Sequence, residues 1–313
     1  MGNVIIALNK LEIENCHQMK TLLIPTDFSE TSEAAIDFGL QLAKQHGYDV
    51  ILHHSVDFAH TYESMYMDIP NVQSFTNEVV EDCETRMENL LKSHRGGGLT
   101  ISKSLTVGNM VQDLKKLVEV KEVDLMVMGT KGASGLKEFF VGSNTEKIVR
   151  IIDCPIISIP GKSQFNRVRK ILVPVDLNEL RPGFLRQISF FQQLFSAAVE
   201  FLWVKTPHSI ENTELVVEEF NNILSKYEIS SSSFTIIREV FPDDGILEYA
   251  KDSESDMIAM ATHARRGLAH LFSGSLTEDV MNHASIPLWS FKLDETEERL
   301  DLNNFQDLQE AVN

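Results

Sequence analysis

One stretch of this chain is written twice. Lys20-Thr-Leu-Leu-Ile-Pro-Thr-Asp27 returns as Arg169-Lys-Ile-Leu-Val-Pro-Val-Asp176, an apolar run closed by Pro-x-Asp, offset by 149 residues from Asp27 to Asp176. Further along, Asp124-Leu-Met-Val-Met-Gly-Thr130 returns as Asp256-Met-Ile-Ala-Met-Ala-Thr262. Gly135-Leu136, Gly142-Ser143, Thr145-Glu146 and Pro155 return as Gly267-Leu268, Gly274-Ser275, Thr277-Glu278 and Pro287, now offset by 132, so the second copy is 17 residues shorter in its middle. A repeat of this length in 313 residues implies two successive domains, each long enough to bury its own core.

Each copy alternates short apolar runs with longer helical stretches. In the first, Thr21 to Ile24, Val50 to Leu52, Leu125 to Met128 and Ile156 to Ile159 are continuous apolar runs, as strands buried on both faces require, and Ile101 to Leu105 supplies one more strand. Ser32 to Lys44, Thr76 to Leu91 and Met110 to Val120 lie between them with helical spacing. This βαβ order predicts an α/β fold with a five-stranded, parallel, doubly wound sheet in each half. The expected domains are 19–160 and 169–292, joined by a linker over 161–168. Gly96-Gly97-Gly98 reads as a loop. Residues 1–18 read as an upstream extension or an alternative start ahead of Met19. The acidic stretch 293–313 carries seven acids against one arginine and reads as a solvated tail, with helical spacing at Leu300, Phe305 and Leu308.

Charge narrows the partners. Lys plus Arg total 28 against 46 Asp plus Glu, a net charge of −18, and a surface that negative repels phosphate backbones and anionic lipid. Nucleic acid and membrane are therefore not expected. No run of 18 apolar residues exists, and Val4 to Leu8 lacks the basic flank and cleavage pattern of a secretory signal. Cys16, Cys83 and Cys154 lie far apart with no CxxC pair, which fits a reducing cytoplasm.

The motif that carries chemistry opens at Gly129-Thr-Lys-Gly132 and, nine residues on, continues Gly142-Ser143-Asn144-Thr145-Glu146. It follows a strand ending at Met128, and doubly wound sheets take their ligands outside the carboxyl ends of the strands. Glycine there admits a positive φ and lets a ligand approach the bare backbone, so Gly129→Val or Gly142→Val is expected to abolish binding and leave the fold intact. Ser143 and Glu146 have the spacing of a capping box, which would start a helix at Ser143 whose first-turn amides suit phosphate. Lys131 and Lys137 would add positive charge. Pro25-Thr26-Asp27, ending the first strand, supplies an acceptor carboxylate suited to a nucleotide's ribose or base. A bare turn at Gly129 and Gly132, with a plain helix cap at Ser143, accounts for the same residues without a ligand.

Gly-x2-Gly-x9-Gly-Ser after an apolar strand, an opening strand ending Pro-Thr-Asp-Phe-Ser-Glu-Thr and a closing Cys-Pro-Ile strand together resemble the universal stress protein (UspA) family; two copies resemble its tandem members. The resemblance implies Rossmann-like domains that pair through their last strands, here Pro155 to Pro160 against Pro287 to Phe291, as an intramolecular pseudo-dimer that leaves a further homodimer open. It also implies ATP or AMP, with or without Mg²⁺, as the ligand of members that keep the glycine pattern. On that resemblance Pro25, Thr26 and Asp27 wall and hydrogen-bond the adenosine, and Ser55 stands on the adenine side. Met128, Gly129, Lys131 and Gly132 form the ribose and phosphate loop, and Gly142, Ser143, Asn144 and Thr145 the phosphate-binding helix start.

The second copy departs from the pattern. Ala261 and Ala264 replace Gly129 and Gly132, Leu177-Asn178-Glu179 replaces Phe28-Ser29-Glu30, and Arg181-Pro182 alters the next helix start. A Cβ at a left-handed position costs roughly 1 to 2 kcal/mol, so this half is expected to bind no nucleotide in the usual way and to serve as a built-in dimer partner. His263, Arg265, Arg266 and His270 leave room for a different anion there.

Other motifs do not form. Gly161-Lys162-Ser163 lacks the upstream glycine of a Walker A loop, with Ile156 in its place. No GxGxxG or GxSxG occurs, and His53 and His54, adjacent on a strand, point to opposite faces and read as strand-end packing. Three functions stand: a cytoplasmic stress-response protein regulated by bound nucleotide, a slow ATP-hydrolysing enzyme with Asp27 as its pocket carboxylate, or a ligand-free interaction protein.

Overall fold

The computed structural model describes residues 20–57, 72–94, 96, 98–130, 143–161, 167–177, 180–206, 213–263, 273–293 and 296–300. The first repeat folds as β1 (Thr21–Pro25), α1 (Glu30–His46), β2 (Asp49–Val56), α2 (Val72–Ser93), β3 (Ile101–Val107), α3 (Met110–Lys121), β4 (Leu125–Gly129), α4 (Ser143–Ile151) and β5 (Ile156–Ile159). The second follows the same order: β6 (Lys170–Pro174), α5 (Pro182–Phe195), β7 (Ala198–Lys205), α6 (Thr213–Lys226), β8 (Ser232–Arg238), α7 (Pro242–Asp252), β9 (Met257–His263), α8 (Ser273–His283) and β10 (Leu288–Leu293).

Local chemistry sets the helix limits. Ser29 caps α1 by accepting from the Ser32 amide, and Gly47 ends it in the left-handed region with φ 72°. Asn109 caps α3 in the same way, accepting from Gln112 N. One repeated aspartate ties each opening strand to its neighbour. Asp124 Oδ2 accepts from Lys20 N at 2.8 Å and Thr21 N at 2.9 Å, and Asp256 Oδ2 accepts from Arg169 N at 2.8 Å and Lys170 N at 3.0 Å.

The strands form one ten-stranded sheet in the order β3-β2-β1-β4-β5-β10-β9-β6-β7-β8. Pairing is parallel within each repeat and antiparallel only where β10 meets β5, with Leu288 opposite Ser158, Trp289 opposite Ile157 and Ser290 opposite Ile156. The last strands thus join the two halves, as expected. Alternation along β1 sends Leu22 and Ile24 to one face and Leu23 to the other. One buried cluster takes Ile36, Met87, Phe191 and Phe220 from α1, α2, α5 and α6; the other takes Leu114, Ile148, Ile246 and Val280 from α3, α4, α7 and α8. Both cores run unbroken across the repeats. No helix among the described residues is long and apolar enough to cross a membrane.

Candidate functional site

The carboxyl rim of the first repeat brings together the ends of β1, β2 and β4 and the start of α4. Pro25 and Thr26 are buried there and Asp27 is exposed. Thr26 N donates to His53 O at 2.8 Å, while the Thr26 hydroxyl contacts Ser32 Oγ at 3.0 Å and accepts from Phe28 N at 3.0 Å. Asp27 Oδ1 accepts from Ser29 N at 3.0 Å and Ser29 Oγ at 2.5 Å. The loop is held in a left-handed turn at Phe28, φ 61°, which for a residue with a Cβ costs roughly 1 to 2 kcal/mol. Its ring lies 4.6 Å from that of His54 and 4.1 Å below the Arg86 guanidinium. His54 Nδ1 donates to Thr26 O at 2.7 Å, and its other nitrogen lies 3.6 Å from Cys83 Sγ. Burial, with Arg86 assisting, lowers the His54 pKa against the Thr26 carbonyl and Asp27; burial and Asp82 raise the Cys83 thiol.

Gly129 has a purpose different from the one its motif suggests. Its φ is outside the left-handed range, and a Cβ built there would stand 2.8 Å from Thr31 O and 3.1 Å from Ser32 N. The missing side chain lets the first turn of α1 sit against the end of β4, and a bulkier residue would push that helix away. Gly129→Val therefore damages the fold as well as any ligand, which corrects the expectation that it leaves the fold intact. Ala261 also lies outside positive φ, so the left-handed cost does not apply to it. In the second repeat α5 begins at Pro182, three residues later in register than α1 begins at Glu30.

Met128 is buried in the core beside α3 and α4, and Thr145 is buried in the first turn of α4, whose helix starts at Ser143 as expected. Ser143 and Asn144 are placed by their backbone alone; Lys131, Gly132 and Gly142 lie outside the described residues, as does Ala264. Ser55, half-buried, stands on β2 two residues beyond the last β1–β2 pair. Behind it runs a polar chain the sequence reading missed. His53 Nε2 is 2.8 Å from Ser55 Oγ and His53 Nδ1 is 3.0 Å from Ser104 Oγ; Ser55 Oγ is 3.2 Å from Thr106 Oγ1, which donates to Asp113 Oδ2 at 2.7 Å. Burial pushes the His53 pKa down to about 4 against the pull of the Asp113 carboxylate. The available signal was polar residues two apart, His53 with Ser55 on β2 and Ser104 with Thr106 on the neighbouring edge strand β3.

In the second repeat a later segment of the chain docks where β6 leads into α5. Arg181 stands at the N-cap of α5 without capping it through its side chain, and Glu297 supplies the anion instead. Its carboxylate accepts from Gly183 N at 2.6 Å and pairs with Arg186, its carbonyl accepts from the Arg181 guanidinium, and Leu300 N donates to Leu180 O at 2.8 Å. Leu293 belongs to β10 and Leu300 packs on the core. These residues are docked, which corrects their reading as part of a solvated tail; Phe305 and Leu308 lie outside the described residues.

A model of the universal stress protein family matches residues 19–160 and again 167–292. The chain belongs to this family. Its sequence is similar to the universal stress protein MJ0577 of Methanocaldococcus jannaschii, 29% identical over 156 residues that make 46% of this chain and 96% of that protein. The universal stress protein YxiE of Bacillus subtilis is 27% identical over 143 residues, 44% of this chain and 97% of that one. Among solved structures, a universal stress protein from Archaeoglobus fulgidus superposes with a TM-score of 0.71 at 18% identity, covering 90% of this chain and 99% of its own. That likeness extends over both repeats and establishes the tandem fold.

Proposed function

We propose that the first domain, residues 19–160, binds ATP or AMP at the rim formed by Pro25, Thr26, Asp27, Ser55, Met128, Gly129, Lys131, Gly132, Gly142, Ser143, Asn144 and Thr145. The chain then works as a cytoplasmic stress-response binding protein whose partners read the nucleotide state. The observation that carries this reading is the asymmetry of the two rims. The first keeps the full glycine pattern and the polar chain behind Ser55, whereas the second has alanine at the first two glycine positions and seats Glu297 and Leu300 beside the start of α5. The second domain completes the sheet and serves as the built-in partner.

The amide ends of α4 suit a phosphate group, and the Asp27 carboxylate suits a ribose or base. Among the described residues no group of three or more His, Cys, Asp and Glu is arranged to hold a metal, so Mg²⁺ would arrive with the nucleotide. Cys83 and Cys154 are buried free thiols, consistent with a reducing compartment.

Two measurements test the reading. Denaturing the purified protein is expected to release adenine nucleotide, and calorimetry of the emptied protein with ATP is expected to give one site per chain. The absence of both released nucleotide and heat of binding would overturn it, and two equivalent sites would overturn the one-domain assignment. Phosphate release is expected below about one per minute, far under the 1–10³ per second of ordinary enzymes; faster turnover would make hydrolysis the function.

A further inference from the structure

The repeat supplies its own control for the polar chain behind Ser55. Strand register makes His53 and Leu202 counterparts, since they face Pro25 and Pro174, and makes Ser55 the counterpart of Val204. Ser104 then corresponds to Thr235 and Thr106 to Ile237. Asp113 is the fourth residue of α3 and Gly245 the fourth of α7. A Cβ at Gly245 would lie 3.2 Å from Ile237 Cδ1, so these two positions face each other just as Asp113 faces Thr106. The same fold therefore closes with Leu202, Val204, Ile237 and Gly245 where the first domain has His53, Ser55, Thr106 and Asp113. Folding does not require the polar chain.

With the buried imidazole of His53 neutral, the protons of the polar chain can be placed in one way only if every contact is to be a hydrogen bond. The Asp113 carboxylate only accepts, so the single Thr106 proton goes to it. Thr106 must then accept from Ser55, which spends the only Ser55 proton. His53 Nε2 must donate to Ser55, leaving Nδ1 to accept from Ser104. Placing the proton on Nδ1 instead would leave the Ser55–Thr106 contact with no proton between its oxygens. What remains to Ser55 at the rim is a lone pair.

Building on the nucleotide reading above, we infer that Asp113, Thr106 and His53 are positioning residues that fix Ser55 as a pure acceptor, so that the site selects a purine carrying a 6-amino donor over one carrying a 6-oxo group. Adenine presents an amine there and hypoxanthine a carbonyl; the amine meets the lone pair, while the carbonyl meets an oxygen with no proton to offer.

The test is calorimetry of the full chain with ATP and with inosine triphosphate. Wild type is expected to prefer ATP by tenfold or more. Thr106→Val leaves the Ser55 hydroxyl in place but frees its proton, so the preference is expected to shrink about tenfold; Ile237 shows that this position accepts an apolar residue. Thr106→Ser restores the chain and the preference. Asp113→Asn, which can donate to Thr106, is expected to shift selectivity the same way as Thr106→Val. Unchanged selectivity in Thr106→Val and Asp113→Asn, with ATP still bound, overturns the inference and leaves the nucleotide reading standing. A wild type that binds neither nucleotide overturns both. Nitrogen NMR of His53 in the free protein tests the chain without any ligand: the Nε2–H tautomer supports it and the Nδ1–H tautomer overturns it.

Discussion

Lowering the pH from 7 to 5 is expected to destabilise this protein through His53, by an amount set by its surroundings. The imidazole is 1% exposed and its pKa lies at about 4 instead of 6.5, because burial disfavours the cation more than the Asp113 carboxylate favours it, with His54 adding a small repulsion. In the unfolded chain the ring is solvated and protonates near 6.5. Between these values the unfolded state binds the extra proton, so stability is full above pH 6.5 and is lost as pH falls toward 4. The displacement is worth about 3 kcal/mol in all at 1.36 kcal/mol per unit, of which about 2 kcal/mol is lost between pH 7 and pH 5. Such a buried group is little screened by solvent. Urea unfolding of wild type and His53→Gln at the two pH values isolates the effect, since every other titrating group, including His54, is common to both proteins. The stability difference between them is expected to shift by about 2 kcal/mol toward the variant at pH 5. A difference constant to within about 0.5 kcal/mol would mean that His53 is hydrated or already charged in the native state, and the proton placement behind Ser55 would fall with it.

Two further outcomes follow from the rims. Gly129→Ala puts a Cβ 2.8 Å from Thr31 O, so thermal melting of the full chain is expected to show an overpacking loss of about 1 to 3 kcal/mol, with nucleotide affinity falling alongside; an unchanged melting temperature would refute the close approach of β4 to α1. Glu297→Ala removes the carboxylate from the start of α5 and is expected to cost about 1 to 2 kcal/mol, to speed amide exchange at Gly183 and to expose residues 296–300 to protease; exchange at the wild-type rate would refute its capping role.

How much the sequence revealed depended on whether a residue's neighbours are local. The repeat, the βαβ order and the last-strand pairing were legible because apolar runs declare buried parallel strands. The length of β2 was not. Its outer half, His53-His54-Ser55, is polar, and it remains a strand because His53 and Ser55 bond sideways to Ser104 and Thr106 while His54 bonds back to Thr26. Those partners are 28 to 51 residues away along the chain, beyond any local pattern. The same limit hid Gly129's contact with Thr31 and the return of Glu297 to Gly183. The glycine motif announced a backbone that must stay bare but could not say that a helix, in addition to any ligand, requires it.

The duplication also sorts residues by purpose, because whatever both copies keep in the same structural task belongs first to the fold. Asp124 and Asp256 hold the strand starts alike, and Pro25 and Pro174 close matching strands. Asp27 is repeated too: Asp176 stands at an equally exposed position on a rim with alanine at the first two glycine positions, so the carboxylate by itself does not mark a nucleotide site. The exchange of Gly129 for Ala261 accompanies the later start of α5. The copies also differ by the exchange of His53, Ser55, Thr106 and Asp113 for Leu202, Val204, Ile237 and Gly245, the second copy placing its polar cluster at Glu200, Thr235 and Tyr249 instead. Placing one buried and three half-buried polar groups where Leu202, Val204, Ile237 and Gly245 suffice carries a desolvation cost that hydrogen bonds only offset. Their retention beside the one rim that keeps the full glycine pattern therefore points to the ligand, and makes Thr106→Val more discriminating than any substitution in the glycine loop.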